Sequence, residues 1–181
     1  MNFTYMGGGD SPANYATQLQ LVEDVKRVYP NTCFPFIGVD PRGSGRQILA
    51  FCAGFFEPAF KGFHGIKLYP SLGFYPVDER LELMHAYCEA NKIPITTHCT
   101  RGGAFYAGQT IPPHLFIYRT FNPTDMMKAR RKQAFYQQLN TLPKNSCNAF
   151  LDPVNYYDVL LKYPNLKLNL AHYGGDGEVL K

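Results

Sequence analysis

The stretches IPITTH at residues 93–98 and LKLNLAH at residues 166–172 decide the fold of this chain. Each is a short apolar run that ends in a histidine. Two comparable runs precede them, FPFIGV at residues 34–39 and GIKLY at residues 65–69. All four runs have the length of strands, and segments with helical character separate them. Strands that alternate with helices predict an α/β fold with a parallel sheet.

Four segments are predicted to be helices, at residues 14–29, 47–56, 78–91 and 153–162. Pro30 ends the first helix, because a proline pushes the residue before it away from helical angles. Asp78 is expected to cap the third helix through its side chain. Pro153 suits the first turn of the fourth, where no backbone donor is needed.

An insertion separates the last two predicted strands. His98 lies 31 residues after Lys67 (98 − 67), which is the length of one βα unit, but His172 lies 74 residues after His98 (172 − 98). The chain is therefore predicted to be one domain, residues 1–181, with an inserted segment at about 101–150. The insertion contains a predicted basic helix near residues 125–139. Such a charge run indicates a solvated face, and a lid over a neighbouring site is the alternative.

The composition excludes several classes of protein. The chain has 181 residues, of which 45% are hydrophobic and 18% charged, so it is neither a disordered polyelectrolyte nor a fibrous repeat. Its net charge of +4 is small. Because the basic residues are not clustered as a nucleic-acid footprint requires, no nucleic-acid partner is predicted. The longest apolar run, residues 48–56, is much shorter than the ~20 residues of a transmembrane helix, so no membrane association is predicted.

The cysteines indicate a reducing compartment, and we predict a cytoplasmic protein. Their number is odd and no C-x-x-C spacing occurs, which argues against a disulfide framework and against a zinc knot. Buried thiols in a reducing compartment explain them best. They are Cys33, Cys52, Cys88, Cys99 and Cys147.

Three residues are placed to carry chemistry. Ligands of parallel sheets and barrels bind at the carboxyl ends of the strands, and His98 and His172 each end a predicted strand. Both imidazoles should therefore face one mouth, where histidine suits zinc binding or acid–base work near neutral pH. Lys67 is a charged residue inside a buried run, which is costly unless it is paired or functional. The alternative for each is a structural residue that forms hydrogen bonds or reaches solvent.

Four motifs together resemble the amidohydrolase-related branch of the amidohydrolase superfamily. They are Gly38-Val39-Asp40-Pro41-Arg42, then Gly65-Ile66-Lys67-Leu68-Tyr69-Pro70, then Thr97-His98-Cys99, and finally the stretch from Tyr163 to Gly175. The resemblance implies a (β/α)₈ barrel of TIM type with one or two divalent metals, expected to be zinc, at its carboxyl-terminal mouth. The four motifs would lie on the third to the sixth strands, and residues 1–7 would belong to the second, so the chain would hold strands two to six.

The resemblance also implies roles for individual residues. His98 matches a metal-binding histidine of the fifth strand. His172 matches a sixth-strand histidine that binds a second metal or polarises the substrate, and we assign it the catalytic role. Lys67, Tyr69 and Arg101 are the expected substrate-binding residues. In some superfamily members a lysine at the position of Lys67 is carboxylated and bridges two metals, and a substrate-carboxylate or structural role is the alternative.

Two features of the family pattern are missing from this sequence. There is no His-x-His motif, which the first strand would carry, and no strand that would supply an eighth-strand aspartate. We therefore expect an incomplete barrel, a piece of a longer protein. A catalytic zinc site needs about three protein ligands, so the 181-residue chain alone should bind zinc weakly. Cys99 should point away from the site because neighbouring strand residues face opposite sides, and a loop residue, Asp176, is a weak candidate for an oxygen ligand.

The predicted function is that of a metal-dependent hydrolase that cleaves a C–N or C–O bond of a small molecule through a metal-activated water. Two alternatives remain open. A decarboxylase or hydratase of the same family would use the same residues. A non-catalytic, truncated α/β module would instead bind a partner through open sheet edges, and such edges also favour a homo-oligomer.

Overall fold

The computed structural model describes residues 15–39, 41, 44–56, 62–70, 74–100 and 148–174. These residues form a four-stranded sheet with the order β1-β2-β3-β4, in which every neighbouring pair is parallel. The prediction of parallel strands in consecutive order, as in a TIM-type barrel, is confirmed. The strands are β1 (Phe36–Gly38), β2 (Gly65–Leu68), β3 (Ile95–Thr100) and β4 (Leu168–Gly174).

Helices occupy all four predicted segments. The segments at 78–91 and 153–162 each begin with a 3₁₀ turn before the α-helix. The aspartates that precede these turns, Asp78 and Asp152, accept hydrogen bonds from the backbone N–H groups of Arg80 and Val154. The α-helices are α1 (Tyr15–Val28), α2 (Gly45–Phe56), α3 (Glu82–Ala90), α4 (Asn148–Leu151) and α5 (Tyr157–Lys162), with 3₁₀ turns at Glu79–Leu81 and Pro153–Tyr156.

One face of the sheet is apolar and lies in the core. Ile37, Ile66 and Ile95 are in register on β1, β2 and β3, and all three are fully buried. The helices cover this face with side chains such as Met84 and Cys88 of α3, which belong to the same buried cluster. Burial of each aliphatic side chain contributes roughly 1.5–3 kcal/mol. We call this side the helix-covered face.

The opposite side of the sheet, which we call the inner face, carries polar side chains. Gly38, Lys67, Thr96 and Asn169 are in register across β1 to β4, so they form a row on this face. One step closer to the carboxyl ends of the strands, His98 is in register with Ala171. The alternation of side chains along each strand therefore separates an apolar face from a polar one.

Several predictions fall on residues that the structure does not describe. The predicted insertion at 101–150 is described only from Asn148 onward, where α4 begins. Its basic helix, Arg101, Cys147 and Asp176 lie outside the described residues. Within the described part of the chain, no helix combines the length and the apolar character needed to cross a membrane.

Candidate functional site

Three rings lie together at the carboxyl ends of β2, β3 and β4. The imidazole of His98 lies between the rings of Tyr69 and His172, with ring centroids 4.8 Å and 4.7 Å away. His98 and His172 meet edge to face, at an interplanar angle of 66°. The expected proximity of the two histidines is therefore present in the structure, whereas their roles stay predictions.

A bulge in β4 brings His172 to His98. Ala171 is in register with His98 and Gly174 with Thr100, so two residues of β4 oppose the single residue Cys99 of β3. An extra residue of this kind bends the strand and redirects a side chain. In an unbroken strand, His172 would follow Ala171 on the opposite face from His98.

The bulge holds His172 in a left-handed backbone conformation. Its φ angle is 68°, whereas non-glycine residues rarely adopt positive φ. Such a conformation costs on the order of 1 kcal/mol, and strained residues of this type cluster at functional sites. The strain thus accompanies the contact between the two imidazoles.

Lys67 lies on the same inner face, two residues before Tyr69. Its side chain is half-buried, and burial lowers the pKa of its ammonium group, while the nearby thiol of Cys99 acts in the opposite direction. Among the described residues, no carboxylate pairs with this ammonium group. With respect to the described residues, Lys67 is therefore a half-buried cation with spare hydrogen-bond donors.

Cys99 belongs to the helix-covered face, as predicted from its position next to His98. Its side chain is fully buried, and burial, followed by the charge of Asp152, raises the pKa of the thiol to about 11. Thr97 shares this face and accepts a hydrogen bond from the hydroxyl of Tyr156. A thiol with so high a pKa is protonated at neutral pH and is a poor metal ligand or nucleophile.

The other described histidines, His85 and His64, pack against aromatic rings. His85 of α3 is 2% exposed and packs against the ring of Tyr163 at 5.7 Å. Burial and the nearby charge of Lys162 lower its pKa to about 3. His64 precedes β2 at the amino end of the sheet, far along the strand from the site, and its ring meets Phe34 edge to face. His114 lies outside the described residues.

Thr96 and Asn169 were not predicted as site residues. The side-chain amide of Asn169 donates a hydrogen bond to the hydroxyl of Thr96 at 3.0 Å, and both residues share the row of Lys67. The signal in the sequence was the alternation Thr96-x-His98 and Asn169-x-Ala171, which places polar residues on the face of His98. Only the strand register aligns this row with Lys67.

The histidine pair matches part of a divalent-metal site. Two imidazoles are suitable ligands for zinc, which takes about three protein ligands in catalytic sites. Within the described residues, no group of three or more His, Cys, Asp or Glu side chains is placed to hold a metal ion. The described site therefore provides two ligands of suitable chemistry.

Comparison with known proteins gives a similarity to a solved structure. No protein-family model matches the chain, and no curated protein matches it. Among solved structures, an uncharacterized TIM-barrel protein from Bordetella bronchiseptica is 18% identical in sequence, with a TM-score of 0.42. The match covers 82% of this chain and 47% of that protein, so this chain spans about half of its length.

Proposed function

We propose that this chain forms part of a metal-dependent hydrolase with His98 and His172 at its active site. The observation that supports this most strongly is the edge-to-face contact of the two imidazoles, at a strained bulge on the carboxyl ends of adjacent parallel strands. The carboxyl ends are where α/β barrels and sheets bind their ligands. A bulge that reorients one histidine toward another has a cost, which a ligand shared by both would offset.

His98 is the proposed metal ligand, and the contact with Tyr69 fixes the plane of its ring. When bound, a zinc ion supplies a water of lowered pKa and polarises a carbonyl oxygen. His172 is exposed at the mouth, so it can reach a substrate and hold or donate a proton at the oxygen that gains charge. Lys67 and Tyr69 line the inner side and are the proposed substrate-binding residues.

The competing proposal is a non-catalytic module, and the count of ligands favours it. The described residues supply two suitable ligands, one fewer than a catalytic zinc site takes. A decarboxylase or hydratase would use the same two histidines, and no described residue separates these reactions from hydrolysis. Metal binding distinguishes the module from both enzymes.

Titration of the 181-residue chain with Co²⁺ and Zn²⁺ tests the metal proposal. Co²⁺ reports its own coordination by visible absorption, and Zn²⁺ affinity follows from competition. We expect weak binding, with a Kd on the order of micromolar or higher for two imidazoles. His98→Ala and His172→Ala should each weaken it by roughly tenfold or more.

His64→Ala is the matched control, since it removes an imidazole at the amino end of the sheet and should leave binding unchanged. Equal affinity in the His98 and His172 variants and in the wild-type chain would refute the metal proposal. Tight binding that both variants abolish would indicate that residues outside the described ranges complete the site. Tests of amide and lactone cleavage, against release of CO₂ from aromatic acids, then separate hydrolysis from decarboxylation.

A further inference from the structure

The row Lys67, Thr96 and Asn169, which we call the donor row, crosses the inner face directly next to the histidine pair. Lys67 is in register with Thr96, and Thr96 with Asn169. Neighbouring strands lie about 4.8 Å apart, so the three positions span about 10 Å. The row lies two residues, or about 7 Å, from the level of His98 along the strand.

The donor row is unusually polar for a layer of side chains on the inner face of parallel strands. Bulky branched aliphatic residues dominate the layers inside TIM-type barrels. Here the layer below the histidines contains a cation, a hydroxyl and an amide, and Gly38 at the fourth position adds no side chain. Lys67 and Thr96 are half-buried and Asn169 is exposed, so a polar ligand from solvent can reach all three side chains.

The donor row offers more hydrogen-bond donors than acceptors. Lys67 offers three N–H donors, and no described carboxylate neutralises it. Asn169 uses one amide hydrogen on Thr96, which leaves its second amide hydrogen and the hydroxyl hydrogen of Thr96 to point elsewhere. No Asp or Glu lies at the described inner-face positions of the four strands.

We propose that the donor row binds the carboxylate of a small organic acid whose reacting group lies at the His98–His172 pair. This inference rests on the proposed function for the place of the reaction, and it adds the class of substrate. One ammonium charge matches the single charge of a carboxylate, and the neutral donors of Thr96 and Asn169, which follow Lys67 in the row, suit its second oxygen. The separation of about 7 Å between the two levels is the size of a small aromatic or aliphatic acid.

The half-burial of Lys67 strengthens this role. Hydrogen bonds to ionised groups are stronger than neutral ones, and they gain further in a partly desolvated site. Burial disfavours the charge of Lys67 and so lowers its pKa, and because an anion beside the ammonium group would oppose this effect, an anion should bind preferentially. A neutral amide of the same shape would lack this gain.

Calorimetric titration of the full chain with benzoate, benzamide and inorganic phosphate tests the proposal. EDTA is present throughout, so the result does not depend on a metal. We expect benzoate to bind, and benzamide and phosphate to bind at least roughly tenfold more weakly. Lys67→Met should weaken benzoate binding roughly 10- to 100-fold without changing benzamide binding, and Lys67→Arg should restore most of the loss.

Two further variants guard against loss of fold. Lys167→Met removes an exposed lysine next to the amino end of β4 and should leave benzoate binding unchanged. Thr96→Val removes one donor while keeping the shape of the side chain, and should weaken benzoate roughly three- to tenfold. If Lys67→Met does not fold, this variant and the benzoate-to-benzamide ratio still decide the question.

The outcomes separate this inference from the metal proposal. Benzoate binding that depends on Lys67, in a chain that binds no zinc through its histidines, would support the donor row and refute the metal site. Absent benzoate binding, equal binding of benzoate and benzamide, or equal affinity in the Lys67→Met and Lys167→Met variants would each overturn the donor row. Preference for phosphate over benzoate would overturn the assignment of a carboxylate.

Discussion

Thr97 and His98 are neighbours in the chain, yet they belong to two very different surfaces of one sheet. Thr97 points to the helix-covered face, where it is fully buried and accepts a hydrogen bond from Tyr156. His98 points to the inner face, which also carries the half-buried Lys67 and the exposed Asn169. The helix-covered face stabilises the fold, whereas the inner face keeps polar groups accessible and contributes little to stability.

The largest expected effect is a difference in stability between substitutions at two adjacent residues of β2, whose side chains point to opposite faces of the sheet. Ile66→Ala should lower the free energy of unfolding by about 2–5 kcal/mol, because it leaves a cavity in a fully buried cluster. Lys67→Met should change it by no more than about 1 kcal/mol, since replacing a partly desolvated charge with an apolar group of similar length is often neutral. Urea unfolding of both variants measures the difference. Similar losses in the two variants would contradict the contrast between the faces.

The second-largest expected effect is a loss of stability at acidic pH that comes from His85, which is buried among the helices and neutral in the folded protein. Its pKa is lowered to about 3 in the folded protein, from an ordinary value of 6.5. Below pH 6.5 the unfolded chain binds a proton that the folded chain does not, so stability is complete above this value and falls as the pH decreases toward 3. Between pH 7 and pH 5 this residue alone should remove about 2 kcal/mol.

His85→Leu should abolish this part of the acid sensitivity, because leucine has no proton to bind. Urea unfolding of the wild-type chain and the variant at pH 7 and pH 5 gives the two differences in stability. The wild-type chain should lose about 2 kcal/mol more than the variant. The same loss in both proteins would contradict this prediction, because it would show that His85 accepts a proton in the folded state.

The smallest effect tests the bulge at His172. His172→Gly and His172→Val both remove the imidazole, but only glycine adopts positive φ freely, and a β-branched residue is strongly disfavoured there. The glycine variant should therefore be more stable than the valine variant by about 1–2 kcal/mol. Thermal unfolding measured side by side provides the comparison. Equal stability would mean that the backbone of residue 172 is not held in the left-handed region.

Much of the fold could be predicted because it depends on local patterns. The four apolar runs became the four strands, and the capping role predicted for Asp78 is present. The donor row could not be predicted with the same ease. Thr96 and Asn169 are ordinary polar residues in their own strands. They become candidate site residues only because the strand register aligns them with Lys67.

The sequence by itself determined the strands, the helices and the place of the two histidines near the carboxyl ends of adjacent strands, because periodicity is a property of neighbouring residues. The prediction that each histidine ends its strand is wrong by two residues, since β3 continues to Thr100 and β4 to Gly174. Only the tertiary structure decided that His98 and His172 touch. With Ala171 in register with His98, simple alternation would place His172 on the helix-covered face, and the extra residue in β4 reverses this. The reason is physical: a bulge arises from pairing between strands distant in the chain, and no local pattern in either strand specifies it.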